Sequence, residues 1–85
     1  MASYRLQIKP SAVKELEAVT LRDRKRLVAR IRRLAKDPRP PGYEKLSGHE
    51  KYRVRQGDYR ILYSIDDAHG TVVIVKVGHR SDVYR

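Results

Sequence analysis

Polar and apolar residues alternate over Tyr4-Arg5-Leu6-Gln7-Ile8, the period of a half-buried strand. Lys9-Pro10 ends that alternation. The spacing then becomes helical. Ala12, Val13, Leu16 and Val19 fall on one face, with Ser11 placed to cap. Thr20-Leu21-Arg22-Asp23 fits a capping box and predicts a second helix with an apolar stripe of Leu21, Leu27, Val28, Ile31, Leu34 and Ala35. That helix is expected to end at Asp37, because Pro38 disfavours helical geometry in the residue before it. Arg39-Pro40-Pro41-Gly42 reads as a stiff turn. Three more alternating runs follow, near 51–56, 59–65 and 71–77, separated by Gly57-Asp58 and Asp66-Asp67-Ala68-His69-Gly70.

The predicted order is β-α-α-β-β-β, an α+β fold. A helical hairpin with one apolar stripe covers one face of an antiparallel four-stranded sheet. Side chains alternate across a strand, so parity sorts the sheet residues. Tyr52, Val54, Tyr59, Ile61, Tyr63 and Ile65 go beneath the helices. Arg53, Arg55 and Arg60 share the opposite face and are expected to lie open to solvent.

A chain of 85 residues makes one small domain, with a modest core. It has no cysteine, which removes disulfides and thiolate metal sites and fits a reducing cytoplasm. No run has signal-peptide or membrane-spanning character, so a soluble cytoplasmic protein is expected, without a membrane partner. The 20 Lys and Arg against 10 Asp and Glu give a net charge of +10. Such a field attracts polyanions, nucleic acid first. The second helix concentrates this charge at Arg22, Lys25, Arg26, Arg30 and Arg33, among others. These suit phosphate contacts on RNA or a ribosome, which give affinity without sequence choice.

Several phrases occur in a telling order: Lys45-Leu46-Ser47-Gly48, Tyr52-Arg53-Val54-Arg55, Gly57-Asp58-Tyr59-Arg60-Ile61-Leu62-Tyr63 and Val77-Gly78-His79-Arg80-Ser81-Asp82-Val83-Tyr84. With the element order and the charge, the chain resembles the RelE branch of the RelE/ParE toxin superfamily over nearly its whole length. The resemblance implies a type II toxin–antitoxin toxin that cleaves mRNA in the ribosomal A site, with the 2′-hydroxyl as nucleophile and without metal or cofactor. It implies a cognate antitoxin as partner, mRNA and the ribosome as targets, and operator DNA only through the toxin–antitoxin complex. ParE-type relatives share the fold but inhibit DNA gyrase, which is the alternative function. A third possibility is a weakly active toxin serving mainly as co-repressor with its antitoxin.

By the same resemblance, Arg53, Arg55, Arg60, Arg80 and Tyr84 form the catalytic set. Arg53 and Arg55 stand where the best-known RelE proteins carry lysines, and Tyr84 matches a tyrosine that stacks on the substrate base. Arginine forks suit a dianionic phosphorane, but a pKa above ~12 makes arginine a poor base. His79 is the candidate that could supply a base near neutral pH. His49 and His69 fall in loops, and Asp66-Asp67 reads as turn chemistry. No histidine–carboxylate spacing suggests a metal site.

Overall fold

The computed structural model describes residues 3–46 and 51–83. In chain order the elements are β1 (Arg5–Ile8), α1 (Pro10–Glu17), α2 (Leu21–Lys36), β2 (Glu44–Lys45), β3 (Lys51–Gln56), β4 (Tyr59–Asp66), β5 (Thr71–His79) and α3 (Arg80–Val83). The five strands form one sheet in the order β1-β5-β4-β3-β2. The α+β architecture is as the sequence predicts, but the sheet has five strands and is mixed. β1 runs parallel to β5, pairing Leu6 with Val72 and Ile8 with Ile74. The extra strand, β2, pairs antiparallel with β3 through Glu44–Arg53 and Lys45–Tyr52.

The helix ends show which local signals operate. Thr20 caps α2, its Oγ1 accepting the Asp23 backbone N–H at 3.3 Å. Ser11 does not cap α1. Pro10 occupies the first turn and Lys9 is the N-cap, without a side-chain bond. Proline suits that position because its missing N–H would have had no partner there. At the other end of α1, Arg24 donates from Nε to the Leu16 carbonyl (3.0 Å) and from Nη2 to those of Glu17 and Val19 (3.0 and 3.1 Å).

Both helices cover the same sheet face. Ala12, Leu16, Leu27, Ile31 and Leu34 join Tyr52, Val54, Ile61, Tyr63, Ile65, Val72, Ile74 and Val77 in one buried cluster. Tyr63 is fully buried, and its hydroxyl donates to the Pro38 carbonyl at 2.6 Å. Burial pushes its pKa up to about 12. A register shift between Leu62 and Tyr63 makes Val75 an extra residue on β5, because Leu62 pairs with Lys76 and Tyr63 with Ile74. Beside this bulge, Glu15 of α1 accepts the Val77 backbone N–H (2.9 Å) and the Lys76 ammonium (3.0 Å), tying helix to sheet.

Candidate nucleic-acid interface

The face of the sheet away from α1 and α2 gathers arginines because of strand register. Arg55 of β3 lies directly opposite Arg60 of β4, and Arg53 opposite Leu62. Opposed residues in an antiparallel pair project to the same side, so all three guanidinium groups share this face. Gly57, at φ +60, makes the tight turn that joins the two strands. On its other flank Arg60 faces Gly78 of β5, which has no side chain to compete for the space.

The three arginines are not alike. Arg55 is exposed. Arg60 is buried, with a relative exposure of 8%, which overturns the expectation that it lies open to solvent. Its Nη1 donates to the Tyr59 carbonyl at 3.3 Å, while its buried Nε has no hydrogen-bond partner among the described residues. The Arg53 side chain is 13% exposed, and its Nη2 donates to Glu44 Oε2 at 3.0 Å. That hydrogen bond, with the charges of Arg53, Arg55 and Arg60, holds the Glu44 carboxyl below its ordinary value. One carboxylate therefore feels all three cations. Such a cluster can grip an anion that brings more negative charge than Glu44 does.

Arg80 opens α3, two residues beyond Gly78 and at the same end of the sheet as Arg55 and Arg60. It is exposed, and its backbone N–H donates to the Asp58 carbonyl at 2.8 Å, anchoring α3 to the β3–β4 turn. Tyr84 lies outside the described residues, as do Ser47, Gly48 and His49.

His79 does not join the arginines. It pairs with Tyr59, one position out of phase with Arg60, and so belongs to the helix side of the sheet. Its ring meets Tyr59 edge-on at 5.8 Å, and its Nδ1 lies 3.0 Å from Ser81 Oγ. Register thus puts His79, the candidate base, on the side of the sheet away from Arg53, Arg55 and Arg60. His69 stays in its turn, 2.8 Å from Asp66, whose carboxyl is held low chiefly by that bond. Asp67 does more than shape the turn. It accepts the Tyr4 hydroxyl at 2.6 Å and the Arg39 guanidinium at 3.0 Å, clasping β1 and the loop after α2 to the β4–β5 turn. Arg39 also lies 5.4 Å over the Tyr52 ring.

Of the basic residues expected on the second helix, Arg22, Lys25, Arg26 and Arg33 are exposed. Arg30 is half-buried, its buried Nε has no hydrogen-bond partner among the described residues, and its charge reaches Tyr63. α2 lies against the core face, so its exposed cations stand on the side of the sheet away from Arg53, Arg55 and Arg60. Two positive surfaces thus flank a molecule of 34 × 27 × 25 Å. Sequence parity misses Glu44, because a two-residue strand has no periodicity to reveal it.

A family model described as the ParE toxin of type II toxin–antitoxin systems matches residues 6–84. Toxin RelG of Mycobacterium tuberculosis is 59% identical over 34 residues, 40% of this chain and 39% of that protein. The matched segment thus spans about two fifths of that curated relative. Among solved structures, the RelBE2 toxin–antitoxin complex of M. tuberculosis contains a similar chain, 30% identical with a TM-score of 0.83. The likeness covers 93% of this chain and all of that one. The isolated E. coli RelE toxin is 28% identical with a TM-score of 0.79, covering 96% of this chain and 92% of that one.

Proposed function

We propose that this chain, which belongs to the ParE toxin family of type II toxin–antitoxin systems, is a RelE-type toxin that cleaves mRNA in the ribosomal A site. The observation that carries this reading is the convergence of Arg53, Arg55 and Arg60 from two neighbouring strands onto the sheet face opposite α1 and α2. The 2′-hydroxyl of the substrate is the nucleophile. Its attack forms the 2′-O–P bond and breaks the P–O5′ bond, leaving a 2′,3′-cyclic phosphate. The hydroxyl proton passes to water, and planar guanidinium forks stabilise the negative charge that builds on the equatorial phosphoryl oxygens. Arg80 stands at the same end of the sheet, where it neutralises the leaving 5′-oxygen. Arginine supplies charge here and not a base, so the chain contributes electrostatics and substrate orientation. The forks do what a metal ion does in other nucleases, and cleavage is expected to persist in EDTA.

The second basic surface supports a large target. A short RNA strand gripped on the sheet face does not reach the exposed cations of α2, whereas a ribosome offers phosphates on several sides. The same two surfaces suit an acidic antitoxin that wraps the molecule. The solved complexes of RelE-named relatives with RelB support such a partner. The protein then acts in the cytoplasm, where its targets are.

Inducing the protein and mapping mRNA ends tests the proposal. New ends within translated reading frames are expected, with translation arrested. DNA damage without new mRNA ends would favour gyrase inhibition instead.

A further inference from the structure

Glu44 engages a guanidinium of the arginine face. It sits opposite Arg53 in the β2–β3 register, on the arginine face, with 3.0 Å between Oε2 and Arg53 Nη2. Arg55 follows two residues along β3 on the same side, and Arg60 lies opposite Arg55. A carboxylate and a phosphodiester present the same kind of paired oxygens to a guanidinium fork, so they compete for it. Glu44 is also cheaply displaced. Its side chain is 43% exposed, and its strand has two residues held by two register pairs at the sheet edge.

We propose that Glu44 is a built-in competitor, occupying the Arg53 fork in the free protein and displaced by the phosphodiester of the RNA. This inference rests on the reading of the arginine face as the phosphate-binding surface. The carboxylate relieves repulsion among three close cations before substrate arrives. It also raises the threshold for binding. Anions that do not exceed the pull of a carboxylate leave Glu44 in place, and stray single phosphates are discriminated against.

The test is binding of a short single-stranded 2′-O-methyl oligoribonucleotide, which offers the phosphodiesters but cannot be cut. The variants are Glu44→Gln, Arg60→Met and, as a control for net charge, Glu17→Gln on the exposed end of α1. Glu44→Gln is expected to tighten binding roughly two- to fivefold, the range of a part-exposed ion pair, and Glu17→Gln to change it far less. Arg60→Met is expected to weaken it. If Arg60→Met weakens binding while Glu44→Gln leaves it unchanged, loosens it or matches Glu17→Gln, the competitor role falls and the phosphate-binding face stands. If Arg60→Met binds as tightly as the parent, the face itself is misassigned and the role of Glu44 falls with it.

Discussion

Arg60 is where residue-scale physics and function meet most directly. A cation that is only 8% exposed, with no ion pair among the described residues and an unpartnered Nε, contributes nothing obvious to folding. Removing a buried charge that lacks a close partner is often neutral or stabilising when the replacement fills the same volume. Arg60→Met is therefore expected to fold with a stability within about 1 kcal/mol of the parent, or above it. The same variant is expected to lose mRNA cleavage in induced cells. Urea denaturation beside mRNA end mapping checks both. A strongly destabilised variant would make Arg60 a structural residue whose loss of activity carries no information. Sequence parity identifies which face Arg60 occupies, since Tyr59, Ile61 and Tyr63 alternate with it. It says nothing of depth. Depth depends on what stands opposite, here Gly78, and that pairing is set eighteen residues away in the chain.

At the scale of elements, local signals read well and distant ones do not. Thr20, three residues before Asp23, announces the start of α2, and Pro38 its end, because both act within a turn of the chain. The parallel pairing of β1 with β5 joins the first and last strands across the whole chain, and no local pattern encodes it. Arg24 shows the same limit. It sits inside a run of basic residues that reads as one solvated face, yet it closes the end of α1 through three carbonyls. The Leu16 carbonyl also accepts the Val19 backbone N–H at 3.3 Å, so Arg24 adds a second donor there, and a charged donor to carbonyls at a helix end contributes about 1.5–3 kcal/mol. Arg24→Ala is expected to lower unfolding free energy by that amount. Arg32→Ala, from an exposed position on the same helix, should change it by no more than about 0.5 kcal/mol. Equal losses in a denaturant titration of the two variants would mean that Arg24 is only part of the solvated face.

For the molecule as a whole, a net charge of +10 goes with two basic surfaces, and the proposed function gives them different tasks. The sheet face concentrates Arg53, Arg55 and Arg60, where the proposed function places one phosphodiester. The outer face of α2 spreads the exposed Arg22, Lys25, Arg26 and Arg33, which the proposed function sets against the many phosphates of a large target. Binding of the second kind releases counterions and sets affinity, but does not choose where the strand is cut. The combined variant Arg22→Gln, Lys25→Gln and Arg26→Gln should therefore weaken binding to programmed ribosomes. Its log–log dependence on salt should be shallower by roughly 0.7–0.9 for each phosphate no longer neutralised. At low salt and saturating protein it should still cut the same positions at nearly the parental rate. Arg60→Met should give the opposite pattern, with binding to ribosomes largely retained and cutting abolished at every salt concentration. If instead the α2 variant shifts the cleavage positions, or keeps the parental salt slope, the helix surface is not the docking face. The division of labour between the two sides of the sheet would then be wrong.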